Sequence, residues 1–218
     1  GSDVMEGQEG ADSLVFSGAD AAEIIDISAN GARVRFIRDI GNITMDLNGI
    51  ETLTFNALGG ADAITVNELS GTDATRVDLN LSAAGGDGDA QADSVTINGT
   101  NAADTIAVNG INNTISVTGL SAVVNLSAAE ALTDSLTING LDGDDVIDAS
   151  KPGAIVVKVF LSIITLSESS SAIVIDDPRN AAKPLNAAIA AESAVKLTLN
   201  GGLGVDTLIG SAGDDLIN

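Results

Sequence analysis

The sequence has no cysteine, histidine, tryptophan or tyrosine, and four phenylalanines supply all of its aromatic side chains. Without cysteine, no disulfide can cross-link the chain. Without histidine, the usual zinc ligand and the usual general base are missing, and a Ser-His-Asp nucleophile cannot be built. No apolar run approaches the roughly 18 residues needed to cross a membrane. We therefore expect a non-catalytic protein without membrane insertion.

Basic residues are also scarce, since 9 Lys and Arg stand against 31 Asp and Glu, for a net charge of −22. Such a chain repels nucleic acid phosphates and attracts cations. Most of the acids are Asp, which favours turns over helices. The one basic cluster, RVRFIR at 33–38, is expected to neutralise nearby Asp; a polyanion-binding patch is the alternative.

One pattern recurs along the chain: a strand that alternates apolar and polar residues, a turn with glycine or aspartate, and a second short strand. The copies begin at residues 12, 51, 93, 134 and 195, so that they are spaced by 39, 42, 41 and 61 residues. Asn56, Asn98, Asn139 and Asn200 share one position of this template, with Ser17 in the first copy. They predict a ladder of hydrogen-bonded amides. Two residues earlier a column of threonines is expected to face outward; it consists of Thr54, Thr96, Thr137 and Thr198.

Regular repeats of short strands predict an all-β fold, a right-handed parallel β-solenoid whose narrow core is filled by Ala, Val, Ile and Leu. We expect solenoid units over 1–150, an inserted coil with one short helix near 184–192 over 151–194, and a final truncated coil over 195–218. At roughly 18–22 residues a coil, each repeat would supply two coils. Equivalent turns would then lie roughly 10 Å apart.

The last eighteen residues, GGLGVDTLIGSAGDDLIN (201–218), are two tandem nonapeptides of the form G-G-x-G-x-D-x-U-x, where U is a large aliphatic residue. This tail resembles the RTX, or hemolysin-type, calcium-binding repeats of secreted bacterial proteins. The likeness is partial at 59–67 and 140–148 and faint at 18–26 and 99–107. It implies calcium held between glycine turns of adjacent coils by carbonyl and carboxylate oxygens. The ligand positions that it implies are Gly201, Gly202, Gly204, Asp206, Gly210, Gly213 and Asp215.

Two further acidic loops are candidate calcium sites, because alternate residues of an extended chain point the same way and carboxylates can converge. The first loop, GGDGDAQAD at 85–93, contributes Asp87, Asp89 and Asp93. The second, LDGDDVID at 141–148, contributes Asp142, Asp144 and Asp145. A solvated acidic loop is the alternative at both. We expect few shared sites, because the chain one coil upstream of 201–206 (KPLNAA, 183–188) has neither glycine nor aspartate.

Together these features predict a non-catalytic calcium-binding segment of a large secreted or cell-surface bacterial protein. It would act as a spacer or adhesin stalk, with calcium ions and neighbouring repeats of its parent protein as partners. Two alternatives stay open. One is a carbohydrate-active β-helix of the polysaccharide lyase or epimerase type, or its accessory module. The other is an ice- or surface-binding array of Thr and Asn.

Overall fold

The structure is a computed structural model that describes residues 2–111, 114–130, 133–150, 196–210 and 215–218. These ranges form an all-β fold. The helix predicted near 184–192, the inserted coil at 151–194 and Gly213 lie outside the described residues. Within the described ranges, no helix is long and apolar enough to cross a membrane.

The strands, in chain order, are β1 (Ser2–Glu6), β2 (Ser13–Ser17), β3 (Ile24–Asn30), β4 (Arg33–Arg38), β5 (Ile43–Asn48), β6 (Thr52–Leu58), β7 (Ala63–Val66), β8 (Arg76–Ala83), β9 (Ser94–Asn98), β10 (Thr105–Ile111), β11 (Thr114–Thr118), β12 (Val123–Ser127), β13 (Ser135–Asn139), β14 (Val146–Asp148), β15 (Lys196–Asn200), β16 (Thr207–Ile209) and β17 (Leu216–Ile217). They form two sheets. Sheet A has nine strands in the order β1-β5-β4-β3-β7-β9-β13-β15-β17, and sheet B has eight in the order β16-β14-β10-β11-β12-β8-β6-β2.

Both sheets are mixed, whereas the repeat pattern alone predicted parallel pairing throughout. In sheet A, β3, β4 and β5 form an antiparallel meander, and in sheet B, β10, β11 and β12 do the same. The remaining pairs are parallel. Short turns between consecutive strands allow antiparallel pairing, whereas parallel neighbours need a longer crossover. The chain makes that crossover by passing through the other sheet.

The parallel pairs are matched residue by residue. In sheet A, Ser94, Thr96 and Asn98 of β9 pair with Ser135, Thr137 and Asn139 of β13. Strands 41 residues apart are therefore hydrogen-bonded neighbours, ~4.8 Å apart. The expectation of two coils per repeat, with equivalent turns roughly 10 Å apart, is wrong. The residues that would have formed a second coil form an antiparallel meander within one sheet instead. Strands one repeat apart are therefore direct neighbours, one strand spacing apart.

The core lies between the inward faces of the sheets and follows the period-2 alternation of the sequence. Val95 and Ile97 of β9 and Leu136 and Ile138 of β13 are 0–1% exposed, while the residues between them are half-buried. Each fully buried aliphatic side chain contributes ~1.5–3 kcal/mol relative to an exposed one. The sheets thus hold the turns at their ends in fixed register, and most of the acidic residues of the described ranges lie in these turns.

Candidate functional site: stacked turns with buried carboxylates

An acidic residue stands immediately before each of the strands β3, β7, β9 and β13 of sheet A and β10, β14 and β16 of sheet B, and these residues stack in two ladders. In sheet A, the backbone N–H of Glu23 donates to Asp62 Oδ1 at 2.8 Å, and the N–H of Asp62 donates to Asp93 Oδ1 at 2.8 Å. The N–H of Asp93 donates in turn to Asp134 Oδ1 at 3.0 Å. All four residues are 1–3% exposed. We call them the sheet A ladder.

Sheet B carries a second ladder, formed by Asp104, Asp145 and Asp206. The N–H of Asp104 donates to Asp145 Oδ1 at 2.8 Å, and the N–H of Asp145 donates to Asp206 Oδ1 at 3.0 Å. Asp145 is 1% exposed. Each hydrogen bond of a ladder joins one backbone N–H to one carboxylate oxygen. The turns differ in what the second carboxylate oxygen contacts.

Burial makes the charged form of these acids costly. It raises the pKa of Asp62 to about 7, and repulsion by Asp93 and Glu23 adds to the effect. Burial likewise raises the pKa of Asp93 to about 7, with repulsion from Asp134. The pKa values of Asp134 and Asp145 are also raised, mainly by burial. The ladders therefore store unfavourable electrostatic free energy at neutral pH, which a bound cation would relieve.

The guanidinium group of Arg38 supplies one counter-charge, because it contacts the Glu23 carboxylate in a buried ion pair. Arg33 pairs with Glu6 and Asp46, each at 2.8 Å. The cluster at 33–38 therefore neutralises neighbouring acids, as its sequence predicted. Glu23 is the ladder residue that the Arg38 guanidinium neutralises.

In three of the turns, the second carboxylate oxygen is satisfied by the protein. The backbone N–H four residues before the acid donates to it: Ala19 to Glu23 at 3.0 Å, Thr100 to Asp104 at 2.7 Å, and Glu130 to Asp134 at 2.6 Å. We call the segments 18–23, 99–104 and 129–134 the capped turns. Both carboxylate oxygens of each capped acid accept a hydrogen bond, so these carboxylates need no further ligand.

Three other turns, which we call the uncapped turns, cover 7–12, 57–62 and 140–145. In them the second oxygen, Oδ2 of Asp12, Asp62 or Asp145, is buried and has no hydrogen-bond partner among the described residues. Two further side-chain oxygens of the described residues, Glu68 Oε2 and Thr133 Oγ1, are also buried without a hydrogen-bond partner. A buried unpaired polar atom costs ~1–3 kcal/mol, so the three aspartate oxygens, at equivalent positions of their turns, are the candidate ligand atoms.

The backbone explains why the uncapped turns lack the cap. Four residues before the acid stands a residue with positive φ, namely Gln8 (70°), Leu58 (74°) or Leu141 (79°). Two residues before the acid stands a glycine with φ between 101° and 132°, and these glycines are Gly10, Gly60 and Gly143. The segment 201–206 has the same two features at Gly202 (95°) and Gly204 (145°). These left-handed angles favour glycine and redirect the N–H groups of the turn.

The uncapped turn 140–145 packs directly on the tail turn 201–206. Gly143 N–H donates to the carbonyl of Leu203 at 2.7 Å, and Leu203 N–H donates to the carbonyl of Leu141 at 2.8 Å. Val205 N–H donates to Asp144 Oδ1 at 2.8 Å. The tail turn therefore has a matching turn one strand away, 61 residues upstream. The expectation that its upstream neighbour is 183–188 is wrong, because hydrogen bonding pairs β15 with β13.

The predicted tail ligands take different positions on this stack. Gly201 is buried, Gly202 and Gly204 are exposed, and Asp206, Gly210 and Asp215 are half-buried. Gly201 and Gly210 contact these aspartates closely, since a Cβ there would lie 2.2 Å from Oδ2 of Asp206 and Asp215 respectively and the carboxylate would have to move. In the neighbouring turn Asp142 and Asp144 are exposed and Asp145 is buried.

The predicted loop at 85–93 does not gather its carboxylates as expected. Asp87 is exposed, and Asp93 belongs to the sheet A ladder. Asp89 accepts from Gln91 N–H at 2.8 Å through Oδ1 and from Gly60 N–H at 3.0 Å through Oδ2. Throughout the described part of the chain, no three acidic side chains converge as a metal-binding group. A cation at a turn must therefore take most of its ligands from backbone carbonyl oxygens.

Sequence reasoning missed Asp12 and Asp62. The signal was present, because a glycine two residues before the aspartate separates the uncapped turns from the capped ones: Gly10-Ala-Asp12, Gly60-Ala-Asp62 and Gly143-Asp-Asp145. The capped turns have Ala21, Ala102 or Leu132 at that position.

The Asn position of the template forms a ladder of hydrogen-bonded amides, as predicted, but with different members. Asn98 donates to Asn67, Asn139 to Asn98, and Asn218 to Asn200, at 2.7–2.9 Å. Asn200 also donates to Asn139. Asn56 belongs to sheet B, where it donates to Ser17 at 3.3 Å. The threonine column likewise contains Thr65 in place of Thr54, followed by Thr96, Thr137 and Thr198.

Comparison of the chain with protein-family models, with curated proteins and with solved structures found no match.

Proposed function

We propose that this chain is a non-catalytic, calcium-binding structural segment of a secreted or cell-surface protein, with a spacer or adhesin role. Its two mixed sheets would be a parallel β-solenoid interrupted by two antiparallel meanders. Parallel strands matched position by position across successive repeats support this description. The secreted location rests on the likeness of the tail to RTX repeats.

One observation carries the calcium proposal. The unpartnered Oδ2 atoms of Asp62 and Asp145 lie in the two upstream turns that resemble the RTX nonapeptide most. In the turns whose likeness is faint, at 18–23 and 99–104, a backbone N–H caps the corresponding oxygen. Among these four upstream turns, a carboxylate oxygen is thus left without a partner in the two whose likeness to the calcium-binding repeat is greater.

The donor chemistry fits a hard cation. Calcium accepts six to eight oxygen ligands in flexible geometry, and backbone carbonyls serve as well as carboxylates. The stack of 140–145 on 201–206 supplies one buried carboxylate, Asp145, between two glycine-rich backbones. The carbonyls of these turns and the carboxylate of Asp206 would complete the site.

Electrostatics favours occupancy. Arg38 neutralises Glu23, which begins the sheet A ladder. Among the described residues, the next three members, Asp62, Asp93 and Asp134, form no ion pair with a basic side chain, and burial raises the pKa of each. A divalent cation near these oxygens stabilises the ionised form and lowers those pKa values. The net charge of −22 adds a general attraction for cations.

The test compares two members of the sheet B ladder that differ in capping. Asp145→Asn removes the charge at an uncapped turn, and Asp104→Asn removes it at the neighbouring capped turn of the same ladder. Calcium titration of the metal-stripped protein by calorimetry, with thermal melts at each calcium concentration, is the measurement. In the parent protein, calcium a hundredfold above Kd should add about 2.7 kcal/mol per site.

We expect Asp145→Asn to lose one calcium equivalent and the matching part of the thermal shift. Asp104→Asn should keep the parent's stoichiometry. Equal calcium responses in the two variants, or no heat of binding in the parent up to millimolar calcium, would remove the calcium part of the proposal and leave the structural part standing.

A second function is favoured by one observation, the column of Thr65, Thr96, Thr137 and Thr198, which places four hydroxyl-bearing side chains at consecutive strand spacings on the outer face of sheet A. Such a face would contact an ordered surface such as ice. Thermal hysteresis of the parent, abolished by Thr96→Lys and Thr137→Lys, is the expected result; its absence in the parent eliminates this function.

A further inference from the structure

The sequence contains six Asn-Gly dipeptides, which begin at Asn30, Asn48, Asn98, Asn109, Asn139 and Asn200. In an Asn-Gly pair, the glycine nitrogen can attack the side-chain carbonyl carbon of the asparagine, because no Cβ hinders its approach. The attack requires a free backbone N–H and a side chain that can rotate over it. The six pairs differ in both respects, although their local sequences are alike.

Four of the six glycines donate their backbone N–H in a hydrogen bond, and a fifth, Gly110, is buried inside a paired strand. Gly99, Gly140 and Gly201 donate their N–H to the carbonyls of Asn139, Asn200 and Asn218, at 2.8, 2.7 and 3.2 Å. Gly49 N–H donates to Asp73 Oδ2 at 3.1 Å. Gly110 lies within β10, paired with Ile115 of β11.

The asparagine side chains before the four hydrogen-bonded glycines are also restrained. The amides of Asn98, Asn139 and Asn200 are members of the Asn ladder, each bonded to the next. Asn48 donates to Glu6 Oε2 at 2.8 Å. Rotation of these amides toward the following nitrogen would break the contacts.

Asn30 and Gly31 differ from the other pairs. They lie at the tip of the hairpin that joins β3 to β4, where Asn30 pairs with Arg33 across a two-residue turn. Both residues are exposed, Gly31 has φ of 68°, and a Cβ built on it would meet no atom within 4 Å. Among the described residues, no hydrogen bond restrains the Asn30 amide or the Gly31 N–H. Glycine at the first central position with positive φ is typical of a type II′ turn.

We infer that Asn30 is a site of spontaneous deamidation and that the fold protects the other five pairs. The Gly31 nitrogen forms a bond to Asn30 Cγ, the carbon–nitrogen bond of the amide breaks, and ammonia leaves with the proton from Gly31, closing a five-membered imide. Water then opens either carbonyl of the imide. One product is aspartate; the other is isoaspartate, in which the main chain runs through the former side chain.

Both products add a negative charge at the hairpin tip, close to Arg33 across the turn. Isoaspartate also inserts a carbon into the backbone and disrupts the pairing of Asn30 with Arg33. The reaction therefore alters the end of the β3–β4 hairpin and leaves the Asn ladder intact.

The test is peptide mass spectrometry after incubation of the folded protein at mildly alkaline pH in water enriched in the heavy oxygen isotope. The tryptic peptide that ends at Arg33 contains Asn30 as its sole asparagine, so its labelling reports this site alone. The same incubation in denaturant exposes all six pairs equally. Asn30→Gln is the matched variant, since its longer side chain closes an imide much more slowly.

In the folded protein, we expect Asn30 to react about fivefold to tenfold faster than Asn48, Asn98, Asn139 and Asn200, whose pairs must each first give up a hydrogen bond worth ~1 kcal/mol. Asn109 should also react more slowly than Asn30, because Gly110 is buried inside a strand. In denaturant the six rates should become similar, and Asn30→Gln should leave its peptide unlabelled. Faster or equal labelling at Asn98, Asn139 or Asn200 in the folded protein would overturn the inference. So would an Asn30 that reacts in denaturant but not in the fold.

Discussion

The sheet A ladder predicts that, without calcium, the protein is more stable in mild acid than at neutral pH. The pKa of Asp62 rises from 3.8 to about 7 on folding, so the folded state holds a proton that the unfolded chain has lost. Stability from this group is fully present below pH 4 and is lost as the pH rises toward 7. Asp93, with a pKa of about 7, acts in the same direction.

The magnitude follows from the size of the shift. Roughly three pKa units correspond to ~4 kcal/mol for Asp62 between pH 4 and pH 7.5. Asp93 shares a hydrogen bond with Asp62, so the two titrate together and their combined loss is about 4–8 kcal/mol. That is a large part of the 5–15 kcal/mol typical of a folded domain. The lowered pKa values of Glu6 and Asp39 act in the opposite direction, but both groups are on the surface, where solvent screens them.

Asp62→Asn isolates the effect, because the amide oxygen can still accept the Glu23 N–H while the charge is gone. Relative to the parent, this variant should be stabilised by ~4 kcal/mol more at pH 7.5 than at pH 4. Any cost of burying the amide group is the same at both pH values and cancels in that difference. Urea unfolding followed by circular dichroism in a calcium chelator is the assay. A parent stability that is flat or rises over this range, or an equal slope in the variant, would refute the reasoning.

Three further predictions concern packing and folding. Gly140→Ala should destabilise by about 1–3 kcal/mol, since its Cβ would lie 2.2 Å from Asp145 Oδ2, whereas Gly85→Ala, with no atom within 4 Å, should be neutral in thermal melts. Arg38→Met should lower the free energy of unfolding in urea by about 3–5 kcal/mol, because it leaves Glu23 buried without its counter-charge. Adding Glu23→Gln to this variant should recover much of the lost stability. No recovery would show that the ion pair is not the cause. Far-UV circular dichroism of the metal-stripped protein should already show β structure, because the aliphatic core forms without metal; a random-coil spectrum that becomes β only with calcium would contradict this.

Local signals in the sequence were sufficient for the all-β fold and for the strand positions near Leu53, Val95 and Leu136, because side-chain alternation reports directly on which face is buried. The Asn ladder and the neutralising role of Arg33 also followed from residue type and spacing. The acidic turn positions were visible as well, although Asp12 and Asp62 were passed over despite the Gly-x-Asp spacing that they share with Asp145.

The sequence by itself determined that strands alternate with acidic, glycine-bearing turns, since both properties depend on residues close together in the chain. Only the tertiary structure decided which strands are neighbours. From β2 to β6 the chain crosses between the sheets twice and returns to sheet B, but from β6 to β9 it crosses three times and ends in sheet A. Equal template positions such as Asn56 and Asn98 therefore lie in different sheets, and the turn at 201–206 meets 140–145. Pairing of the parallel strands depends on backbone hydrogen bonds and shared core burial across 18–61 residues of chain, which no local pattern encodes.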